Sequence, residues 1–291
     1  MQVVKERAYA KINLFLDVVG RRDDGFHEVK TVMHTISLSD TVTVSAALAK
    51  ESTVTIKIKG SERLPVDMRN LAVRAAWLFL GRSGIVAGVE ITLEKKIPIA
   101  SGMAGGSTDA AAVLRGLNRI FGRPLAARAL MSIASEIGSD VAYCLYGKTA
   151  LCEGRGELIS RLPVAPHLFV AVGVADEHVS TPAAYSALDG IYGDFSERAD
   201  RREEIREFVE ALSCGRVPNR LYNIFEDAVL PGCPNATRIK EKMYELGASH
   251  ALMSGSGPSV FGVFPDIESA KAAADVLRSL GFSAFFAESV E

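Results

Sequence analysis

The stretch Pro98-Ile99-Ala100-Ser101-Gly102-Met103-Ala104-Gly105-Gly106-Ser107-Thr108-Asp109 decides the fold, because it joins a predicted strand at residues 89–93 to a predicted helix. Small residues let the backbone approach a ligand closely, and the first amides of a helix lack intrahelical partners at the positive end of the helix dipole. The stretch therefore predicts an anion site. It matches neither the Walker A pattern nor Gly-x-Gly-x-x-Gly, so P-loop and Rossmann nucleotide sites are excluded. A tight turn without a ligand is the alternative.

A second glycine-rich turn, Met253-Ser254-Gly255-Ser256-Gly257-Pro258-Ser259, separates the predicted strands 251–253 and 260–264. A hairpin requires only one or two glycines, so an ordinary hairpin turn is one interpretation. Backbone amides and hydroxyls in such a turn can also bind an oxyanion. Together with the first loop, the turn favours a shared phosphate site.

The composition is that of a globular protein. The chain has 291 residues, 48% of them hydrophobic and 23% charged, with a formal net charge of -2. These values exclude disorder, fibrous repeats and a surface built wholly for nucleic acid. No apolar run approaches the roughly 18 residues that span a bilayer, and no cleavable leader is evident. We therefore expect a cytoplasmic protein with no membrane or nucleic-acid partner.

The remaining pattern predicts a mixed chain of two domains, residues 1–162 and 163–291, divided near Pro163 and Pro166. Further strands are predicted at residues 42–45, 53–59, 168–174 and 283–286. Helices are predicted at residues 70–79 (ended by Gly81), 115–120, 126–137, 197–212, 234–246 and 267–280. The cysteines lack disulfide or metal-ligand spacing, which predicts reduced packing thiols at Cys144, Cys152, Cys214 and Cys233.

Lys11 and Asp140 are candidate catalytic residues. Lys11 lies within the apolar run Ala8-Tyr9-Ala10-Lys11-Ile12-Asn13, where an unpaired ammonium would be costly. Asp140 follows Gly138 between a predicted helix and another apolar stretch. Phosphoryl transfer to an alcohol requires charge stabilisation and often a carboxylate that accepts the hydroxyl proton. The alternatives are a Lys11 that extends to solvent from an edge strand and an Asp140 that caps the following element.

Three segments resemble, in order and spacing, the three motifs of the GHMP kinase superfamily: Ala10-Lys11-Ile12-Asn13-Leu14, residues 98–111, and Gly255-Ser256-Gly257. Three more resemble the branch that acts on a cytidine diphosphate-linked methylerythritol in the non-mevalonate isoprenoid pathway: Gly25-Phe26-His27, Ile137-Gly138-Ser139-Asp140-Val141 and Glu153-Gly154-Arg155-Gly156-Glu157. The resemblance implies an α+β, two-domain GHMP kinase fold. The N-terminal domain would be S5-like and bind ATP, and the C-terminal domain would be ferredoxin-like, with a cleft between them.

The resemblance also implies an activity, ATP-dependent phosphorylation of the 2-hydroxyl of that alcohol. Asp140 would accept the hydroxyl proton, and Lys11 would keep Asp140 ionised and stabilise the developing charge. Mg²⁺ would accompany the nucleotide, with Ser107 as a candidate contact. The protein would be a monomer or a homodimer. The implied ATP-binding residues are Pro98, Ile99, Ala100, Ser101, Gly102, Met103, Ala104, Gly105, Gly106, Ser107 and Thr108, with Asn70 at the adenine.

For the substrate, the resemblance implies that Phe26 and Tyr185 stack on the cytosine and that His27 hydrogen-bonds its edge. Asn13 would hydrogen-bond the substrate, and Gly255, Ser256 and Gly257 complete the implied set. Without the resemblance, Phe26 is interpreted as a core aromatic and His27 as a loop histidine.

The loop departs from the family pattern. Ala100, Ser101 and Ala104 stand where glycine is usual, and Thr108 replaces the more usual serine. Because a Cβ disfavours positive φ, we expect ordinary backbone angles at the first three positions. Two other hypotheses stay open: a kinase of the same superfamily that acts on mevalonate, homoserine or a sugar, and a non-catalytic binding protein on the same fold.

Overall fold

Strands and helices are mixed along the whole chain in a computed structural model that describes residues 1–60, 64–162, 166–196, 198 and 201–290. The elements, in chain order, are β1 (Gln2–Arg21), β2 (His27–Leu48), β3 (Thr53–Lys59), α1 (Leu71–Ser83), β4 (Ala87–Glu94), α2 (Gly105–Ile120), α3 (Ala127–Ile137), α4 (Ser139–Tyr146), β5 (Thr149–Glu153), β6 (Leu158–Arg161), β7 (Phe169–Val174), α5 (Thr181–Tyr192), α6 (Arg202–Ser213), β8 (Tyr222–Asn223), α7 (Phe225–Val229), a 3₁₀ turn (Leu230–Gly232), α8 (Pro234–Glu245), β9 (His250–Met253), β10 (Ser259–Phe264), α9 (Ile267–Ser279) and β11 (Ser283–Glu288).

Most predicted strands and helices are confirmed within a few residues. The predicted strand 42–45 is only a part of β2, which spans His27–Leu48. Two helix boundaries are wrong. Helix α1 continues past Gly81 and ends at Gly84, whose φ of 69° is the left-handed conformation that commonly closes a helix. Helix α2 spans Gly105–Ile120, so the predicted segment 115–120 is only its last part, whereas the expectation that the glycine-rich stretch leads directly into a helix is confirmed. Of the predicted helix 197–212, residues 197, 199 and 200 lie outside the described residues, and α6 begins at Arg202.

The chain divides into two compact units that are discontinuous in sequence. The first unit contains residues 1–10, 39–99 and 104–146. Within it, β3 pairs with β4 in parallel, and β4 pairs with the second part of β2 in antiparallel fashion. Helices α1 and α4 pack against α2, whose residues from Thr108 to Leu114 are all buried. Because α2 packs against both α1 and α4, its first turn is held in place within this unit.

The second unit contains residues 11–38 and 100–103 and the described residues of 147–290. Its four-stranded sheet has the order β11-β7-β10-β9, with every neighbouring pair antiparallel. Helices α8 and α9 cover the same face of this sheet. A Cβ at Gly173 in β7 would lie 2.6 Å from Ile239 of α8 and 3.2 Å from Leu277 of α9. In this unit β1 also pairs in parallel with β8, and β2 pairs with β5. The boundary between residues 162 and 163 stays a prediction.

The four cysteines are free thiols. Cys144, Cys152 and Cys233 are buried, as predicted, but Cys214 is exposed, so the packing role predicted for it is wrong. Among the described residues, no helix combines the length and the hydropathy that crossing a bilayer requires. A cytoplasmic location stays a prediction.

The corrected end of α1 can be tested with two alanine substitutions. A Cβ meets nothing within 4 Å at either Gly81 or Gly84, so the variants differ in backbone conformation rather than in packing. Gly81→Ala should raise the free energy of unfolding by about 0.5 to 1 kcal/mol, because glycine is a poor helix former. Gly84→Ala should lower it by about 1 kcal/mol, because its φ is positive. Urea denaturation of both variants measures this, and equal effects would contradict the assignment of the helix end.

Candidate active site

The Lys11 ammonium is held inside the second unit by a neighbour on the same face of β1. Lys11 is 4% exposed, and its Nζ donates a hydrogen bond of 2.7 Å to Oδ1 of Asn13, which is 1% exposed. The two residues share a strand face because side chains alternate along a strand. A buried ammonium must be hydrogen-bonded to remain charged. The extended, solvated Lys11 considered as an alternative is therefore wrong.

Asn13 joins the Lys11 ammonium to the second glycine-rich turn. Its Oδ1 also accepts a bond of 2.9 Å from the backbone N–H of Gly255. Its Nδ2 donates a hydrogen bond of 2.8 Å to Oγ1 of Thr31, and this hydroxyl in turn donates one of 2.7 Å to the carbonyl of Phe15. The Asn13 side chain is thus fixed by both of its polar ends. It orients Lys11 and the turn, and contact between Asn13 and a substrate stays a prediction.

The two glycine-rich loops touch through their backbones. A Cβ at Gly102 would lie 2.0 Å from the carbonyl oxygen of Ser254, so only glycine fits there. The Ser254 hydroxyl donates 3.1 Å to the Gly102 carbonyl. A Cβ at Gly255 would lie 2.9 Å from the Gly102 oxygen and 3.2 Å from Nζ of Lys11. The structure therefore places the two loops and the Lys11 ammonium within a few ångströms of one another, as the sequence analysis expected for a shared site.

Asn223, which the sequence analysis missed, holds the second turn in place. It is buried in β8, and its Nδ2 donates 2.7 Å to the carbonyl of Met253 and 2.8 Å to that of Gly255. Its Oδ1 accepts from the N–H of Phe225. The sequence offers little signal, because a single asparagine in a two-residue strand resembles any loop residue. Its importance comes from the parallel pairing of β8 with β1.

The expectation of ordinary backbone angles is wrong at two of three positions in the first loop. Ala100 and Ala104 have φ values of 52° and 60°, in the left-handed region, whereas Ser101 is not among the residues with positive φ. The loop therefore retains the backbone shape that glycine would give. The strain at these alanines is tolerated because the neighbouring contacts fix the chain.

Helix α2 begins immediately after Ala104. No side chain of the described residues caps it, and the carbonyl of Ala104 accepts from the N–H of Thr108. The amides of Gly105, Gly106 and Ser107 thus form the open, positive end of a helix of 16 residues. This is the geometry that binds phosphate groups.

A buried charged cluster lies beside this helix start. Lys95 donates to Oδ2 of Asp40 and, at 2.6 Å, to Oδ2 of Asp109, and the side chains are between 0% and 5% exposed. Burial, together with the Asp40 charge, raises the pKa of Asp109 to about 7, although the Lys95 ammonium opposes the shift. A Cβ at Gly105 would lie 3.5 Å from Nζ of Lys95. No role was assigned to these three charges from the sequence: Asp40 lies within a long strand, Lys95 directly follows β4, and Asp109 was only the last residue of the glycine-rich stretch.

The side chains predicted to hold cytosine form a second cluster in the second unit. The His27 ring stacks on Tyr185 with centroids 4.5 Å apart, and Nε2 of His27 lies 2.7 Å from Oδ1 of Asp189. A carboxylate only accepts, so Nε2 carries the proton in this pair. Phe26 is 54% exposed, with the Arg155 guanidinium 4.8 Å from its ring centroid. The Gly-Phe-His and Glu-Gly-Arg-Gly-Glu segments are therefore neighbours in space.

Comparison with known proteins identifies the family. Residues 70–148 match the model of the GHMP kinases N terminal domain, and residues 197–282 match that of the GHMP kinases C terminal domain. A curated 4-diphosphocytidyl-2-C-methyl-D-erythritol kinase from Caldicellulosiruptor saccharolyticus is 41% identical over 275 residues, 94% of this chain and 92% of the relative. One from Bacillus subtilis is 43% identical over 263 residues, 89% of this chain and 88% of the relative. The chain belongs to the 4-diphosphocytidyl-2-C-methyl-D-erythritol kinase family.

Solved structures agree with this family. A crystal structure of 4-(cytidine 5'-diphospho)-2C-methyl-D-erythritol kinase superposes with a TM-score of 0.82 at 32% identity, covering 99% of this chain and all of that chain. A homoserine kinase from Cytophaga hutchinsonii superposes with a TM-score of 0.76 at 21% identity, covering 100% of this chain and 95% of that chain, and shows the fold alone. The expected two-domain α+β fold of GHMP kinases is confirmed, and the chain is an ATP-dependent kinase.

Three other predicted site residues, Asn70, Asp140 and Ser107, lie at or near the first turns of helices. Asn70 is buried and caps α1, because its Oδ1 accepts from the N–H of Ala72 and its Nδ2 donates to the carbonyl of Pro65. Asp140 lies in the first turn of α4, half-buried. Asp140 belongs to the first unit and Lys11 to the second, and their pairing stays a prediction. Ser107 is half-buried in the first turn of α2.

The strain at the start of α2 can be measured by removing one Cβ. Ala104→Gly should raise the free energy of unfolding by about 0.5 to 1 kcal/mol, because relief of the left-handed alanine exceeds the added chain entropy. Ala129→Gly is the matched control, because Ala129 is also half-buried but lies inside α3. This variant should lower the free energy of unfolding by about 1 kcal/mol. Chemical denaturation of both variants would refute the strain if Ala104→Gly proved as destabilising as the control.

Proposed function

We propose that the chain transfers the γ-phosphoryl group of ATP to the 2-hydroxyl of 4-diphosphocytidyl-2-C-methyl-D-erythritol, a step in the non-mevalonate route to isoprenoid precursors. The observation that carries the proposal is the meeting of both glycine-rich loops at the Lys11 ammonium. Relatives that are 41% and 43% identical over most of their length bear the name of this kinase. The site supports phosphoryl transfer because that reaction depends on positioned charge more than on covalent chemistry.

In the proposed reaction the hydroxyl oxygen attacks the γ-phosphorus while its proton passes to the Asp140 carboxylate, and ADP leaves. Lys11 stabilises the charge that develops during the transfer and acts as the electrostatic partner of Asp140. Asn13 supports this role by fixing the Lys11 ammonium within 2.7 Å of its own Oδ1. The amides of Gly105, Gly106 and Ser107 would hold phosphate oxygens, since they form the open end of α2.

We propose that Mg²⁺ arrives with the nucleotide. Within the described part of the chain, no group of three or more His, Cys, Asp or Glu side chains is arranged to hold a metal ion. The Ser107 hydroxyl, in the first turn of α2, is the candidate protein ligand. Held with the nucleotide near Ser107, the cation would offset the charge that develops during transfer.

For the cytidine end, we propose that the His27–Asp189 pair selects the base. Since Nε2 of His27 is protonated and donates to Asp189, the free pair of electrons of a neutral imidazole lies on Nδ1. An accepting Nδ1 matches the exocyclic amine of cytosine, which donates, and opposes the O4 carbonyl of uracil, which accepts. Phe26, largely exposed, offers a ring face on which a base can stack.

Asp140→Asn should lower kcat by a factor on the order of 10² to 10⁴, as expected for loss of a general base. The assay is steady-state ADP release with ATP and the cytidine-linked alcohol. Glu136→Gln is the matched control, because Glu136 is a carboxylate of the same unit that pairs with Arg82 at the solvent-exposed surface. Near-normal turnover of a folded Asp140→Asn protein would remove Asp140 from the mechanism.

The choice of acceptor tests the function itself. The purified protein should prefer the cytidine-linked alcohol to its uridine-linked analogue by a factor in kcat/KM on the order of 10² or more, because the analogue leaves Nδ1 of His27 facing an acceptor. Mevalonate and homoserine, offered with ATP at equal concentration, should give no ADP release above background. A preference for mevalonate or homoserine would replace the proposed substrate, and ATP binding without transfer to any alcohol would favour a binding protein.

A further inference from the structure

The charged cluster beside α2 connects both sides of the first glycine-rich loop. Asp40 is fully buried in β2. Its carboxylate accepts a hydrogen bond of 2.8 Å from the N–H of Ile97 and another from the N–H of Lys96, just before the loop. Lys95 binds this same carboxylate. Its ammonium also donates 2.6 Å to Asp109, which lies in the second turn of α2, just after the loop. One cation therefore fixes the distance between the residue before the loop and the helix after it.

The contact between the two sides is close. A Cβ at Gly105 would lie 3.2 Å from Cγ2 of Ile97 and 3.5 Å from Nζ of Lys95. The first residue of α2 thus rests directly on Ile97 and the Lys95 ammonium. A small shift of Lys95 would move the amides of Gly105, Gly106 and Ser107 together, because they belong to one rigid helical turn.

Charge balance alone does not require Asp109. Asp40 and Lys95 already form a one-to-one pair, and a second buried carboxylate adds the free energy of its own desolvation. Oδ1 of Asp109 is buried and has no hydrogen-bond partner among the described residues. An apolar side chain of similar volume would serve stability at least as well, so the carboxylate requires another explanation.

We propose that Asp109 is a positioning residue for nucleotide binding: through Lys95 it holds the first turn of α2 against residues 96–97 in the geometry that binds phosphate. This inference rests on the proposed function, since it requires the loop to bind ATP. It assigns Asp109 no contact with the nucleotide. The effect should therefore appear in the affinity for ATP and not in the affinity for the alcohol.

Three substitutions separate this role from a purely structural one. Asp109→Leu removes the bond to Lys95 while it keeps the volume and leaves Lys95 paired one-to-one with Asp40. Asp109→Asn keeps an oxygen that accepts from Lys95. Glu6→Leu is the matched control, because Glu6 is a buried carboxylate that binds Arg115 and Arg119, further along the same helix.

Calorimetric titration of each protein with ATP, kinetics with both substrates, and urea denaturation provide the readouts. Asp109→Leu should raise both Kd and KM for ATP on the order of tenfold through misplacement of the amides, with KM for the alcohol unchanged. Asp109→Asn and Glu6→Leu should bind ATP as the wild type does. Should Asp109→Leu not fold, Asp109→Ser, whose hydroxyl is too short to reach Lys95, carries the same expectation.

Unchanged ATP affinity in Asp109→Leu, or an equal loss in Glu6→Leu, would overturn the positioning role. The wild type distinguishes this failure from that of the proposed function. If the wild type binds ATP and phosphorylates the alcohol while Asp109→Leu binds equally well, only the positioning role is lost. If the wild type does not bind ATP, the proposed function fails and the positioning role fails with it.

Discussion

The second unit depends on the close approach of two backbones, at Gly102 and Ser254. A side chain at Gly102 would overlap the Ser254 carbonyl, and the Ser254 hydroxyl bonds back to Gly102. Asn13 completes the arrangement, because its Oδ1 binds both the Lys11 ammonium and the N–H of Gly255. Burial of Lys11 is tolerable only with such partners. The loops, the strand that carries Lys11 and the buried charge therefore stabilise one another.

Much of the fold could be predicted, because most of its elements have strong local signals. The alternation of apolar and polar residues predicted β3, and apolar residues at helical spacing predicted α3 and α9, with little error at the ends of these elements. The C-terminal end of α1 and the start of α2 were harder to predict from the sequence. Gly81 and Gly84 are equally plausible stops from sequence, because either glycine could adopt the left-handed φ that closes a helix, and in the structure it is Gly84 that does. Similarly, the glycines at the start of α2 have low helix propensity, which tertiary contacts override.

The candidate site was predictable where its residues lie in recognisable motifs, as do Lys11, Gly102 and Gly255. Its supporting residues were not. Asn223 acquires its role from pairing between strands that are about two hundred residues apart in sequence, and Asp40 from a turn of the chain more than fifty residues later. Such pairings depend on topology, which local patterns do not encode. The His27–Asp189 bond is similar, since it joins residues 162 positions apart.

The two alanines with left-handed φ bear on how such loops are recognised in other genomes. Ala100 and Ala104 adopt the backbone shape of glycine without being glycine. A pattern search that demands glycine at each position would therefore overlook working relatives, whereas a profile weighted by dihedral angle would retain them. Conversely, Gly102 admits no replacement, since even the smallest side chain meets a carbonyl at 2.0 Å. Within one short motif, glycine can thus be replaced by alanine at positions 100 and 104, whereas at position 102 it is required for steric reasons.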